Sequence, residues 1–211
     1  MIEDKNHWDK IYLTKKPDEM SWTQDIPRAS LAFILSAHLN MQARIIDIGS
    51  GNSNLIDFLL DFGYKNITVL DISENALISA QKRLGARADR VKWIVSDIID
   101  FQSDATYDFW HDRATFHFLT SEAQILKYLS IAHQVVKEHG FVSIGTFSME
   151  GPTKCSGLDI KQYSEETLGA RLQDGFEKIK CITEDHATPF NTIQNFLFCL
   201  FKRLPRKFVI T

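Results

Sequence analysis

Short apolar runs alternate with helix-patterned segments along most of the chain. Five runs rich in Val, Ile, Phe and Tyr are bounded by polar or glycine residues, which is the pattern of buried strands. Between them lie helix signals such as the capping box of Ser121 and Gln124, whose helix we predict to stop at Gly140. The predicted strands are residues 43–48, 66–70, 91–96, 107–111 and 141–147, and the predicted helices are residues 27–39, 55–61, 73–84, 121–138 and 164–174.

This alternation predicts βαβ units, and therefore an α/β fold with a doubly wound, mostly parallel sheet and helices on both faces. The rhythm changes near the C-terminus. Two strand-like runs, residues 176–184 and 192–201, follow each other there without a helix between them. A parallel pair needs a longer crossover, so we expect these runs to form an antiparallel C-terminal hairpin.

The first forty residues carry aromatic side chains, among them Trp8, Tyr12 and Trp22, without a helical or strand period. We interpret them as a cover over the sheet and not as a separate domain. The predicted single domain, residues 1–211, divides into a cover (1–42), a cofactor-binding core (43–150) and an acceptor-side rim with the terminal hairpin (151–211). We expect the basic residues 202–207 to be a solvated exit from the last strand.

Composition and charge narrow the class of protein. The chain has 211 residues, 44% of them hydrophobic and 24% charged, which is typical of one soluble globular domain. Its 24 Lys and Arg against 27 Asp and Glu give a net charge of −3, which argues against a nucleic-acid partner. No apolar run reaches the ~18 residues of a membrane span, and the first residues lack the apolar core of a secretory signal. We predict a cytoplasmic protein without a membrane partner, as a monomer or weak homodimer.

Three cysteines, Cys155, Cys181 and Cys199, are widely spaced and include no CxxC pair. This spacing predicts reduced thiols, because a disulfide framework or a zinc site normally shows paired cysteines. No carboxylate-rich cluster requires a metal ion, so no metal is predicted.

The sharpest feature of the sequence is Asp47-Ile48-Gly49-Ser50-Gly51, which ends the first predicted strand and opens a helix. In a doubly wound sheet, ligands bind outside the carboxyl ends of the strands, and two glycines let the backbone approach a ligand closely. Asn54 replaces the third glycine of the dinucleotide fingerprint, and Asp47 would repel a diphosphate. The turn therefore favours a ligand that carries a cation.

Two further acids stand at the ends of the next two predicted strands. Asp71 follows Gly49 by 22 residues, where a carboxylate binds ribose hydroxyls, and Asp97 stands where an acid accepts from an adenine amino group. With Asp47 they describe a pocket for an adenosine that carries an amino-acid cation in place of phosphates. We therefore predict S-adenosyl-L-methionine as the cofactor.

At this point the chain resembles the class I S-adenosylmethionine-dependent methyltransferases over about residues 40–150. The matching segments are residues 47–51, 69–73, 96–98 and 107–109. The resemblance implies a seven-stranded sheet whose last strand is antiparallel. It also implies cofactor contacts from Asp47, Gly49, Gly51, Asp71, Ile72, Asp97 and Ile98.

A finer resemblance connects the chain with a subgroup that includes protein-lysine methyltransferases. It rests on residues 7–10, 51–53 and 112–115 and on Trp22. The chain departs from that subgroup at Arg113-Ala114, where a Lys-Gly step is usual, and at His117-Phe118, where an acid and a small residue often stand. These positions face the acceptor, so a protein lysine and a small molecule both stay open as the methyl acceptor.

Methyl transfer needs a nucleophile aligned with an activated methyl group and is helped by one proton acceptor. His111 and Asp112, at the carboxyl end of the fourth strand, are the candidate catalytic residues. Trp22 is expected to lie over the cofactor's sulfonium through a cation–π contact. The candidate acceptor-binding residues are Arg113, His117 and Tyr12.

Two other functions compete with an active methyltransferase. One is a non-catalytic S-adenosylmethionine-binding scaffold whose N-terminal cover serves a partner protein. The other is a nicotinamide-dependent oxidoreductase. Asp47 disfavours it because its carboxylate would repel a diphosphate, and Asn54 disfavours it because it replaces the third glycine of the dinucleotide fingerprint.

Overall fold

Seven strands form one mixed sheet in the computed structural model, which describes residues 2–205. The strands of the chain are β1 (Arg44–Ile48), β2 (Asn66–Asp71), β3 (Val91–Val95), β4 (Tyr107–Arg113), β5 (Val136–Phe147), β6 (Lys154–Cys155), β7 (Leu158–Asp159), β8 (Phe176–Ala187) and β9 (Ile193–Arg203). The sheet has the order β3-β2-β1-β4-β5-β9-β8, and β6 and β7 form a separate small hairpin. β1 to β5 are parallel, and β9 is antiparallel to both β5 and β8. The predicted fold class is confirmed.

Helices cover both faces of the sheet. In the described residues they are α1 (Ile2–Thr14), α2 (Arg28–Ser36), α3 (Leu55–Asp61), α4 (Glu74–Leu84), α5 (Glu122–Val135) and α6 (Glu165–Leu172). Ile45 of β1 packs in a buried cluster with α2, α3 and α4, whereas the next residue, Ile46, packs in a second cluster with α5 and α6. This alternation follows from the period of two along a strand. No helix within residues 2–205 is both long and apolar enough to cross a bilayer.

The cover contains a helix that the sequence pattern did not predict. α1 lacks a strong apolar face. Buried Ile11, the packing of Trp8 on Trp22 and polar contacts with the start of α4 together hold it. Asp9 Oδ1 accepts from Ser73 Oγ at 2.7 Å, and Asn75 Nδ2 donates to the Asp9 carbonyl at 3.1 Å. These contacts bring the cover against the carboxyl edge of the sheet. Of the predicted basic end, Arg206 and Lys207 lie outside the described residues.

The end of α5 differs from its prediction. The helix stops at Val135, and β5 begins at once with Val136, so that the predicted extension to Glu138 is wrong. His139 has φ of 63°, and Gly140, at which we predict the helix to stop, lies inside β5. Pairing of Val136 with the first residue of β4 is what draws this segment into the sheet.

Cys181 and Cys199 form a disulfide, which corrects the prediction of reduced thiols for these two residues. They are 18 residues apart in the sequence but stand directly opposite each other in the register of β8 and β9. The sequence predicted the hairpin. It did not predict the register of β8 and β9 to the single residue that is needed to pair these two side chains. Cys155 is a free, buried thiol.

Reduction of the Cys181–Cys199 disulfide is expected to lower the free energy of unfolding by about 3 kcal/mol, because the bond closes a chain loop of this size in the unfolded state. Denaturant titration with and without a reductant measures the difference. Alkylation of the unreduced, denatured protein should modify Cys155 alone. Modification of all three cysteines before reduction would contradict the disulfide.

Candidate functional site

The glycine turn after β1 lies at the carboxyl edge of the sheet, where β2 and β4 flank β1. Gly49 N donates to the Leu70 carbonyl at 2.8 Å, which ties the turn to the end of β2. Gly49 and Gly51 both have φ of +58°, a left-handed conformation that favours glycine. A Cβ at Gly49 would overlap the Thr115 hydroxyl, and a Cβ at Gly51 would overlap the Tyr12 hydroxyl. Both positions therefore require glycine for conformation and for space.

Asp71, the last residue of β2, binds the backbone of this turn. Its Oδ2 accepts from Gly51 N at 2.7 Å, and its Oδ1 accepts from Ser73 N at 2.8 Å. Burial raises the pKa of Asp71 to about 6, although these two hydrogen bonds oppose the shift. Each carboxylate oxygen keeps a further lone pair, so the side chain can also accept from two ligand hydroxyls.

Asp47, His111 and Ser30 form a buried chain of hydrogen bonds beside the turn. Asp47 Oδ1 lies 2.6 Å from His111 Nδ1, and His111 Nε2 lies 2.8 Å from Ser30 Oγ. Asp47 and His111 meet because they are paired in the register of β1 and β4. The second oxygen of Asp47, Oδ2, is buried and has no hydrogen-bond partner among the described residues. Because an unpaired buried carboxylate oxygen is costly, this atom suits a cationic ligand group.

The segment after β3 supplies a third acid, and apolar side chains from the ends of β2 and β3 lie in the same space. Asp97 Oδ1 accepts from Ile99 N at 3.1 Å, and burial raises the pKa of Asp97. Ile72 and Ile98 line the same space. An acid beside apolar side chains is a suitable environment for a flat heteroaromatic ring with an amino group.

The cover supplies aromatic rings that face the glycine turn. The ring centroids of Tyr12 and Trp22 are 6.2 Å apart, and Trp8 packs edge-on against Trp22 at 5.8 Å. Burial raises the pKa of the Tyr12 hydroxyl, so it is neutral at physiological pH. The cover therefore presents neutral, polarisable groups to the turn.

One cavity of about 440 Å³ joins these groups. This volume lies within the usual range for small-ligand sites. The β6–β7 hairpin closes one side of it with Cys155, Leu158 and Asp159, as expected for a rim. Of the predicted site residues, the cavity is lined by Asp47, Gly49, Asp71, Ile72, Asp97, Ile98, Trp22, Tyr12, His111 and Arg113.

The donor set of this cavity fits S-adenosylmethionine. Asp47 Oδ2 suits an ammonium group, Asp71 suits ribose hydroxyls and Asp97 suits an adenine amino group. Gly49 and Gly51 let the turn pack directly against the hydroxyls of Thr115 and Tyr12, and Gly49 lines the cavity whereas Gly51 lies behind its wall. Across residues 2–205, no group of three or more His, Cys, Asp or Glu side chains is placed to hold a metal ion.

Asp112 lies outside the cavity, although it follows His111 in β4. Its Oδ1 accepts from Thr115 N at 3.0 Å and Phe116 N at 3.2 Å, and its Oδ2 accepts from the Tyr128 hydroxyl at 2.7 Å. Burial raises its pKa to about 6. Both oxygens hold the turn after β4, so this geometry gives Asp112 a positioning role in place of the direct catalytic contact predicted.

His117 also lies behind the cavity wall. It is fully buried and stacks on Phe147 with ring centroids 4.7 Å apart. Burial and the neighbouring Arg113 lower the pKa of His117 to about 3, so the ring is neutral. His117 therefore does not line the cavity, whereas Arg113 does.

Ser30 gave no local signal in the sequence, because it lies 81 positions from His111. Asp9 and Thr115 lie in segments of the finer resemblance, but their contacts were not predicted. Thr115 donates from its hydroxyl to the Ile48 carbonyl at 3.2 Å, and Asp9 anchors α1 by accepting from Ser73. Each depends on a tertiary contact between distant segments.

The chain is similar in sequence to known methyltransferases. A family model described as a methyltransferase domain matches residues 45–140. The eEF1A lysine and N-terminal methyltransferase of Bos taurus is 25% identical over 173 residues, which are 81% of this chain and 24% of that protein. The chain therefore spans about a quarter of the length of this curated relative.

Two solved structures share the fold. A SAM-dependent methyltransferase from Anabaena variabilis superposes with a TM-score of 0.74 at 15% identity, covering 96% of this chain and 95% of that one. The N-methyltransferase NodS of Bradyrhizobium japonicum, solved with S-adenosyl-L-homocysteine, gives a TM-score of 0.70 at 15% identity, covering 94% and 98%. The cover and the terminal hairpin are thus included in the shared fold.

Proposed function

We propose that the chain is a class I S-adenosylmethionine-dependent methyltransferase, as its similarity to known methyltransferases supports, and that it transfers the methyl group to a protein lysine or a small molecule by in-line displacement. One observation carries this proposal. The carboxylates of Asp47, Asp71 and Asp97 line one cavity, and within residues 2–205 the second Asp47 oxygen, Oδ2, has no hydrogen-bond donor.

When bound, S-adenosylmethionine supplies a methyl group on a sulfonium: the acceptor's lone pair forms the new bond to carbon, and the carbon–sulfur bonding pair returns to sulfur in the S-adenosylhomocysteine that leaves. The residues of this chain contribute mainly by alignment, which can lower a barrier by several kcal/mol. Tyr12 and Trp22 exclude water from above the turn. Asp47, Asp71 and the glycine turn hold the ligand from the sheet side.

When the methyl acceptor is an amine, His111 is proposed to take the amine's proton through the Ser30 hydroxyl. Ser30 lines the cavity, and its Oγ lies 2.8 Å from His111 Nε2. Asp47, 2.6 Å from the other ring nitrogen, stabilises the imidazolium that forms. Asp112 is proposed to support this arrangement by fixing the turn after β4.

The acceptor side is built from the cover and the rim. A protein lysine is supported by the activity for which the bovine relative is named, and a small molecule is supported by the aromatic surroundings of the cavity. We propose that residues 1–211 act as one domain with the divisions given above, as a monomer or weak homodimer. A cytoplasmic location without nucleic-acid or membrane partners stays a prediction from the sequence.

Incubation of the protein with methyl-labelled S-adenosylmethionine and a cell lysate tests the function. We expect label in the protein fraction or in the small-molecule fraction, and the fraction that carries it identifies the class of acceptor. A His111→Ala variant should bind S-adenosylhomocysteine but transfer label at least about tenfold more slowly. Cofactor binding without label in either fraction would favour the non-catalytic scaffold.

The affinity for S-adenosylhomocysteine is expected to fall on acidification, by up to about tenfold per pH unit below about pH 6. Because the pKa of Asp71 is raised to about 6, its carboxyl is increasingly protonated below this pH. Ligand hydroxyls donate to the ionised carboxylate, so the proton must leave before the ligand binds. Calorimetry between about pH 7 and pH 5 measures this slope. The Asp71→Asn variant should show no such slope, and Asp112, which titrates in the same range, is present in both proteins. Equal slopes would contradict the assignment to Asp71.

A further inference from the structure

Arg113 ends β4 and reaches into the cavity on its acceptor side. Its Nη1 donates to the Trp22 carbonyl at 2.9 Å, and its guanidinium carbon lies 5.0 Å from the centre of the Phe196 ring. These two contacts fix the plane of the guanidinium between the cover and β9. The remaining two nitrogens, Nε and Nη2, are buried and have no hydrogen-bond partner in the part of the chain that the structure describes.

Nε and Nη2 share one edge of the guanidinium. Their N–H groups point in the same direction, with the spacing of the two oxygens of a carboxylate, which is the basis of side-on bidentate pairing. The contact to Trp22 uses the other nitrogen, so it holds the group without occupying this edge. The unpartnered donors are therefore the matched pair of a carboxylate-binding fork.

We propose that the methyl acceptor is a small molecule with a carboxylate group, and that Nε and Nη2 of Arg113 bind the two carboxylate oxygens. The inference rests on the proposed methyl transfer and narrows its acceptor. S-adenosylmethionine carries a carboxylate of its own, so the test uses protein already loaded with S-adenosylhomocysteine, in which a fork occupied by the cofactor does not respond to an added carboxylate.

The surroundings of Arg113 leave its charge uncompensated by contact. Glu184 acts on the Arg113 charge from a distance, and the Glu184 carboxylate accepts from Gln24 Nε2 at 3.4 Å. No ion pair joins Arg113 to a carboxylate within residues 2–205. Burial lowers the pKa of Arg113 to about 10, which leaves the group charged at neutral pH. His117 and His186, which also face it, have pKa values lowered by burial and add no charge at neutral pH.

Burial of this edge also limits the kind of acceptor. The carbonyl of Trp22 accepts from Nη1 of Arg113, and the preceding residue, Ser21, is held by a 2.7 Å contact between its carbonyl and His186 Nε2. Nε and Nη2 are buried, so a small carboxylate reaches them more readily than a carboxylate on a folded protein surface.

Benzoate and its neutral analogue benzamide are suitable probes, because they have the same shape and differ in charge. Calorimetry first establishes that the protein binds S-adenosylhomocysteine. The loaded protein, labelled with ¹⁵N-arginine, is then titrated with each probe while the Nε–H signals are recorded. We expect benzoate to shift the Arg113 signal and to bind at least about tenfold more tightly than benzamide, as a bidentate charged pair is worth more than about 1.4 kcal/mol.

The variants Arg113→Gln and Arg113→Lys separate the fork from the charge. Both should weaken benzoate binding about tenfold or more, with Lys retaining part of the affinity. Lys180→Gln is the matched control, because Lys180 also lies over a phenylalanine, with its Nζ 4.6 Å from the Phe33 ring centre, but does not line the cavity. Circular dichroism and S-adenosylhomocysteine affinity report whether each variant is folded.

The outcomes distinguish this inference from the function on which it rests. Cofactor binding together with equal affinities for benzoate and benzamide, or with a benzoate affinity unchanged in Arg113→Gln, overturns the carboxylate site and leaves methyl transfer standing. A benzoate-insensitive Arg113 signal at the highest soluble concentration has the same meaning. A folded wild-type protein that fails to bind S-adenosylhomocysteine overturns the proposed function, and this inference with it.

Discussion

Replacement of Asp71 by alanine is expected to weaken binding of S-adenosylhomocysteine about a hundredfold or more while the chain stays folded. Two hydrogen bonds from ribose hydroxyls to a carboxylate are lost, each worth about 1.5–3 kcal/mol. The glycine turn is also loosened, since Gly51 N and Ser73 N lose their acceptors. The second effect lowers the free energy of unfolding by about 1–3 kcal/mol, which thermal unfolding measures alongside calorimetry of the ligand.

Asp108→Ala is the matched control for this experiment. Asp108 lies near the amino end of β4, on the opposite edge of the sheet, where its Oδ2 accepts from Arg44 N at 2.7 Å and its Oδ1 pairs with Lys137 at 2.7 Å. The substitution leaves the backbone N–H of Arg44 without its carboxylate acceptor and does not alter the cavity. The control should lose stability and keep its affinity for S-adenosylhomocysteine. An Asp71→Ala protein that binds as tightly as the wild type would remove the ribose assignment.

Replacement of Gly49 by alanine is expected to abolish detectable S-adenosylhomocysteine binding and to destabilise the fold by more than about 1 kcal/mol. A Cβ at this position overlaps the Thr115 hydroxyl, and the φ of +58° adds backbone strain. The turn must shift, and its bond to the Leu70 carbonyl shifts with it. Denaturant titration and calorimetry separate the loss of stability from the loss of affinity.

Gly85→Ala isolates the contribution of backbone strain. Gly85 has φ of +57°, nearly the value of Gly49, but a Cβ there meets nothing within 4 Å. Because its ψ of −134° lies in a region that only glycine adopts readily, this variant should lose about 1–3 kcal/mol of stability and bind the ligand normally. Adding Thr115→Ala to Gly49→Ala removes the overlapping hydroxyl and should restore part of the affinity. If Gly49→Ala bound the ligand as well as Gly85→Ala, close packing of the turn would not matter for the site.

The strand-end acids and the sheet were predictable for a common reason. Parallel strands align their carboxyl ends at one edge, so Asp47, Asp71 and Asp97 had to lie near one another once the alternation of strands and helices was recognised. The terminal hairpin followed from the missing crossover helix. Helix ends were less secure, as α5 shows, because a capping glycine and a strand glycine look alike without knowledge of their partners.

Direct contacts at the acceptor side were not predictable to the same degree. Asp112 was expected to face the cavity because it adjoins His111, but successive strand residues point to opposite faces, and Asp112 meets Tyr128 and the turn after β4. The helical character of α1 was also missed. Its contacts with α4 come from residues more than sixty positions away.

Local periodicity and motif spacing were enough to predict the class of fold, the cofactor and the edge of the sheet at which the strand-end acids lie. The side chains that meet there depend on tertiary packing. This packing joins Asp47 to His111 and Ser30, places the Tyr12 hydroxyl over Gly51, pairs Cys181 with Cys199 and gives Nε and Nη2 of Arg113 no hydrogen-bond partner within residues 2–205. Contacts of this kind depend on strand register and on the packing of distant segments, and a shift of one residue would change each of them.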